Sequence, residues 1–198
     1  MVTAQWYQES LQVVGIAFLR GINVGDKGAL PMADLRAACE AAGLAHVQTY
    51  IQSGNVVFTA PAKLTPRAGT LIEDAVEDRR GFRPPTIVRT LPQLRAIAAT
   101  KAFPSQHSMD GGQLLVMFLA QTPPPTAAKA VAALSTDAEQ LRLIGQEVFM
   151  HFHQGVGKAK LSWKKLEQAV GGPGTSRNWN TLSKMLELAT ALDSAPPQ

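Results

Sequence analysis

Val13-Val14-Gly15-Ile16-Ala17-Phe18-Leu19-Arg20-Gly21-Ile22-Asn23-Val24-Gly25 is the stretch on which the fold turns. Val13–Leu19 is an apolar run of strand length, and Arg20–Gly25 is the glycine-rich turn that ends it. Pro31 suits the first turn of a following helix. Leu35, Ala38, Cys39 and Ala42 then recur at i, i+3, i+4 and i+7, and Gly43 suits the residue just past the helix end. Val47–Gln52 and Asn55–Thr59 are β-rich runs separated by Ser53-Gly54, the length and chemistry of a hairpin turn. Leu64–Arg80 reads as a second helix with Leu71, Ile72, Ala75 and Val76 on its buried face, and Pro84–Val88 as a closing strand. Strand, helix, hairpin, helix, strand is the order of a split βαβ, or ferredoxin-like, unit.

The second half replays the first. Gln113–Leu119 is an apolar strand in which Val116-Met117-Phe118-Leu119 echoes Ile16-Ala17-Phe18-Leu19. Pro123-Pro124-Pro125 precede a helix to about Leu134, and Leu141–Ile144 with Glu147–Phe152 form a second hairpin. From there the halves are expected to diverge, with helices near Leu161–Val170 and Ser176–Ala191 in place of a helix and a strand. The sequence thus predicts an α/β (α+β) chain of two ferredoxin-like split βαβ halves, the second ending in two helices. Residues 1–10 read as a flexible extension, 11–100 as the N-terminal half, and 112–193 as the C-terminal half with basic helices.

Composition narrows the classes. The 198 residues are 45% hydrophobic and 17% charged, which suits a chain that buries a core. No apolar run approaches the ~20 residues of a membrane helix, and no basic segment leads into an apolar one as in a signal peptide. Cys39 is the single cysteine, so neither an internal disulfide nor a cysteine-based zinc site can form. A cytoplasmic protein without a membrane partner is the expectation.

Three segments carry a family resemblance. They are Ala17–Gly25, Thr49-Tyr50-Ile51-Gln52-Ser53-Gly54-Asn55-Val56-Val57-Phe58, and Thr175-Ser176-Arg177-Asn178-Trp179-Asn180-Thr181. In order and spacing they resemble the bacterial domain-of-unknown-function family 1697 over about residues 14–190. The resemblance implies an α/β fold of ferredoxin-like halves and no established activity. Ala159 stands where members commonly carry serine, and His153 where proline is frequent.

The polar residues of these segments are the candidate site. A glycine-rich turn between strand and helix presents backbone N–H groups to an anion, and Arg20, Asn23 and Lys27 accompany it. Lys27 follows Asp26 and precedes Gly28, so this is no P-loop, and the Gly-x-Gly-x-x-Gly dinucleotide pattern is also missing. No cofactor is expected. Ser53 and Asn55 can donate to an oxyanion, although no histidine or acid lies near in sequence to activate Ser53. Arg177, read as a first-turn helical residue, opposes the helix dipole unless an anion sits beside it; Asn178 and Asn180 accompany it. His151 and His153 point to one side of a strand, without an identifiable third metal ligand.

Charge points to the same end of the chain. Lys158, Lys160, Lys164, Lys165, Arg177 and Lys184 face only Glu167 and Glu187 between Lys158 and Thr190, so this segment holds the entire excess of +4. Localised positive charge is the footprint of phosphate or nucleic-acid contact. The reading is a binding module for a phosphorylated or other anionic ligand. Its site draws on Arg20, Asn23, Lys27, Ser53, Asn55, Lys160, Arg177, Asn178 and Asn180. The alternatives are non-sequence-specific nucleic-acid binding through the basic helices, and an enzyme acting in the same pocket. The Lys/Arg-Gly-Phe/Tyr-Gly/Ala-Phe pattern of RNA-recognition sheets is missing, and aromatics are only 6% of residues, which disfavours base-stacking recognition on the sheets.

Overall fold

The computed structural model describes residues 11–24, 28–104, 106 and 109–195. Among the described residues it is a mixed α+β fold of two four-stranded antiparallel sheets and six α-helices. The predicted extension at residues 1–10 and the candidate Lys27 lie outside the described residues.

The chain divides into two compact units: one runs to Ala96 and takes up the residues from Lys184 on, and the other is Ile97–Ser183. In the first, β1 (Gln12–Leu19), α1 (Met32–Ala41), β2 (Ala45–Tyr50), β3 (Asn55–Pro61), α2 (Ala68–Arg80) and β4 (Thr86–Thr90) follow in sequence. The sheet order is β2-β3-β1-β4, with the apolar run of β1 hydrogen-bonded on both sides. That order and connectivity are compatible with a ferredoxin-like split βαβ. Alternation along the strands sends Ala17, Leu19, Val56, Phe58 and Ala60 toward the helices, where they pack with Leu35, Ala38, Cys39, Ile72 and Val76. Each fully buried Leu, Val, Ile or Phe of this set contributes about 1.5–3 kcal/mol, the alanines less. Val14, Ile16, Phe18 and Val57, on the other face, are buried as well.

The second unit repeats the plan with β5 (Leu114–Leu119), α4 (Ala127–Ala132), β6 (Glu139–Ile144), β7 (Glu147–Phe152), α5 (Trp163–Val170) and β8 (Gly174–Asn178), in the order β6-β7-β5-β8. Leu115, Met117 and Leu119 pack with Val131, Met150, Phe152, Leu166 and Val170.

One boundary corrects the sequence reading. The helix expected over Ser176–Ala191 begins only at Trp179, as α6 (Trp179–Asp193), and Gly174–Asn178 is a strand paired antiparallel with β5. The halves therefore do not diverge after the hairpin. Asn178 caps the helix: its Oδ1 accepts a hydrogen bond from Thr181 N at 2.8 Å. A further helix, α3 (Leu91–Ala99), follows β4 in the same manner and was not anticipated. Thr90 and Gln93 form a reciprocal cap there, with Thr90 N donating to Gln93 Oε1 at 2.8 Å.

Candidate functional site

The two motif turns of the first unit close on each other. Asn23 is in the left-handed region at φ 53°, and its side chain spans three backbone groups. Its Oδ1 accepts from Leu30 N at 2.8 Å, while Nδ2 donates to Leu30 O at 3.0 Å and Gln52 O at 2.8 Å. Asn55 is fully buried and its Nδ2 donates to Tyr50 O and Ser53 Oγ, both at 3.0 Å. An amide side chain has two N–H donors, so those of Asn23 and Asn55 are engaged in holding the turns. Leu19 N donates to Gly54 O and Arg20 N to Pro85 O, each at 2.8 Å, which ties the turns to the end of β1. Gly54 has φ 76°, and a Cβ there would lie 2.8 Å from Leu19 and Ile22 side-chain atoms, so glycine is required on both counts. The structure thus brings Asn23, Ser53 and Asn55 together with the start of the Arg20 turn.

The third motif belongs to the second sheet. Because Arg177 lies in β8, the helix-dipole argument for an anion beside it no longer applies. Its side chain is 8% exposed, and Nη1 donates to Thr175 Oγ1 and Ser176 O, both at 2.8 Å. Burial pushes the guanidinium down to about 10, still well above neutrality, so the residue is charged at pH 7. Asn178 caps α6, and Asn180 lies over Gly111 so closely that no side chain fits at that glycine.

Lysines gather elsewhere. A cleft of about 540 Å³ opens in the second unit between the start of β6, the segment after β7 and the start of α5. Lys158, Lys160 and Lys165 line it, with Ser162, and Thr136, Asp137 and Glu139 form the facing wall. Local geometry explains the arrangement. Gly155 N donates to Phe152 O, and a short 3-10 turn at Val156–Lys158 reverses the chain after β7. The buried Glu139 side chain then accepts a hydrogen bond from the backbone N–H of Lys160, which fixes the lysine segment against β6. Ser162 caps α5, accepting from Lys165 N at 3.4 Å. Three lysines and a helix start therefore line one partly enclosed volume.

Among the candidates named from sequence, Lys160 lines this cleft. Lys158 and Lys165 belonged to the charge excess without being singled out. Thr136, Asp137 and Glu139 left no signal, since Glu139 is 21 positions from the segment it holds. Of the other cations in the excess, Lys164 is exposed on α5 and does not line the cleft, Arg177 is buried in β8, and Lys184 pairs with Glu187 at 2.7 Å. Ala159, where the resemblance leads one to expect serine, is a cleft residue.

Other reactive groups are few. Burial pushes the Cys39 thiol up to about 12, which leaves it protonated and inert in the first core. His151 and His153 stack with ring centroids 4.4 Å apart, but among the described residues no group of three or more His, Cys, Asp or Glu could hold a metal ion. No helix of the described residues is long and apolar enough to cross a membrane.

Comparison with known proteins agrees with the fold. The family described as "Protein of unknown function (DUF1697)" matches residues 14–149. No curated protein matches the chain. Among solved structures, the conserved bacterial protein SP0830 from Streptococcus pneumoniae is similar, with a TM-score of 0.68 at 22% identity, over 90% of this chain and 99% of that one. At that identity the similarity concerns the fold.

Proposed function

Since the chain belongs to the DUF1697 family, whose description assigns no activity, we propose from its own residues that it is a binding module for a phosphorylated or other anionic ligand. The carrying observation is the cleft that brings Lys158, Lys160 and Lys165 around one volume, with the Lys160 backbone pinned by Glu139. A phosphate dianion there gains charge-assisted hydrogen bonds of ~1.5–3 kcal/mol each, against the cost of immobilising ligand and lysine side chains. Two or three such bonds support an affinity between micromolar and millimolar for a bare phosphate.

Binding is favoured over turnover because Ser162, the hydroxyl nearest the lysines in sequence, has no imidazole beside it in the cleft lining. Recognition of a nucleic-acid backbone is less well supported. That reading needs a continuous basic face, and Arg177 and Lys184 do not extend one. A cytoplasmic setting, where phosphate esters are abundant and a lone thiol stays reduced, completes the reading.

Calorimetric titration with inorganic phosphate and pyrophosphate tests it. The triple variant Lys158→Gln, Lys160→Gln, Lys165→Gln is expected to lose at least tenfold in affinity, and the native protein to weaken as salt is raised. Equal affinity in the triple variant would overturn the proposal.

A further inference from the structure

Glu139 is the odd member of the lysine cleft. It is 6% exposed, lines the same volume as Lys158, Lys160 and Lys165, and carries the wrong charge for an anion site. It does not neutralise the lysines, since none of the three has a carboxylate within ion-pair distance among the described residues. Its Oε1 accepts from Lys160 N, and its Oε2 has no donor among the described residues. Yet Oε2 is not sealed off, because among those residues the wholly buried side-chain atom without a partner is His151 Nδ1. Holding the lysine segment takes one carboxylate oxygen. The other is a free acceptor on a largely buried side chain, where a missing donor costs most, and the opening that side chain lines is the cleft.

Resting on the anion-binding reading above, we infer that the ligand is a phosphate ester of a polyhydroxylated compound, of the sugar phosphate class, with its phosphate on Lys158, Lys160 and Lys165 and a hydroxyl donating to Glu139. A phosphate dianion cannot take the place beside Glu139, because it has no proton to donate and repels the carboxylate. An ammonium could donate there, but three lysines around the same volume oppose a fourth cation. A hydroxyl donates without adding charge. The rest of the lining suits such a ligand, since Gln154 and Ser162 each offer both a donor and an acceptor. The cleft volume of about 540 Å³ is far larger than a bare phosphate needs. It falls within the ~300–1,000 Å³ of pockets that take small organic ligands.

The test compares methyl phosphate, ribose 5-phosphate and phosphoethanolamine by calorimetry on the full chain. Ribose 5-phosphate is expected to bind at least about tenfold more tightly than methyl phosphate, the low end for a hydrogen bond to a charged acceptor. Phosphoethanolamine is expected to show no such margin. In Glu139→Gln one amide oxygen still serves Lys160 N, and the free acceptor becomes an N–H donor. Methyl phosphate is then expected to bind more tightly, and the ribose 5-phosphate margin to fall below about threefold. Asp137→Asn removes a charge from the same wall and leaves Glu139 in place, so it should tighten both ligands and keep the margin. If methyl phosphate binds and ribose 5-phosphate binds no tighter, the hydroxyl inference is overturned and the anion-binding reading stands. The same holds if phosphoethanolamine shows the larger margin, if the margin survives Glu139→Gln, or if Asp137→Asn abolishes it too. If none of the three probes binds, both fall. The ligand comparison is made on the native protein, so it decides the matter even where a variant fails to fold.

Discussion

Arg89 and Arg177 hold the same place in their two sheets. Arg89 pairs across β1 with Ile16, and Arg177 across β5 with Val116. Each donates Nη1 to the carbonyl of the residue before it, at 3.0 and 2.8 Å, and each is buried, with exposures of 7% and 8%. Each is followed at once by the residue that caps the next helix, Thr90 for α3 and Asn178 for α6. Two stretches with little else in common, Ile87-Val88-Arg89-Thr90 and Thr175-Ser176-Arg177-Asn178, thus build the same strand-to-helix corner. The recurrence at one register makes the arginine part of the repeating architecture.

Arg177→Met is therefore expected to act on stability. Removing a buried charge leaves its hydrogen-bond partners unsatisfied, at about 2–4 kcal/mol. Urea unfolding should show that loss, while phosphate affinity of the folded variant stays within twofold of native. A phosphate affinity reduced tenfold in a variant of native stability would return Arg177 to the ligand site.

Gly54→Ala probes the hairpin motif. The left-handed backbone and the 2.8 Å approach of Leu19 and Ile22 both oppose a Cβ. Together they are expected to cost about 2–5 kcal/mol. A midpoint of thermal unfolding equal to that of the native protein would show that this turn relaxes freely.

These corners also show how far the sequence was legible. The apolar runs of β1 and β5 and the two hairpins were readable because strand-length hydrophobic stretches bounded by glycine have few alternatives. β8 was not. Gly174–Asn178 is short and polar, and its buried members are a glycine, a threonine and an arginine, so neither periodicity nor apolar content marks it as a strand. Its place is set by pairing with β5, a tertiary effect that outweighs local propensity. The same limit applies to the cleft. Lysine charge was visible along the chain, but the Glu139 contact that gathers it joins residues distant in sequence. The polar motifs, by contrast, drew attention as ligand donors, whereas Asn23 and Asn55 use their amide hydrogens on the turns themselves.

Glu139→Gln gives a prediction of opposite sign to the lysine variants. The amide keeps an acceptor for Lys160 N and removes a negative charge from the cleft wall. Phosphate affinity is expected to rise several-fold, with a modest loss of stability from the weaker neutral hydrogen bond. Calorimetry on the variant checks the sign, and a fall in affinity would mean that Glu139 acts only by holding the segment in place.

His151 makes stability depend on acid. Its ring is buried, its Nδ1 has no hydrogen-bond partner, and burial, followed by the neighbouring His153, holds its pKa below the ordinary 6.5. As pH falls through 6.5 the unfolded chain takes up a proton that the folded chain resists, so the unfolded state binds more protons and stability drops. Above that range the group is neutral in both states and contributes no slope. His151→Phe should flatten the decline in urea midpoint between pH 7.5 and pH 5, and an undiminished decline would place its cause in other groups.

The most direct measurement is amide shift mapping on the isotopically labelled protein as inorganic phosphate is added. The cleft account predicts saturable shifts concentrated at Thr136–Glu139 and Gln154–Lys165, with Lys160 and Ser162 among the largest. Shifts centred instead on Arg20–Asn23 and Ser53–Asn55, or no saturable shifts at all, would contradict it.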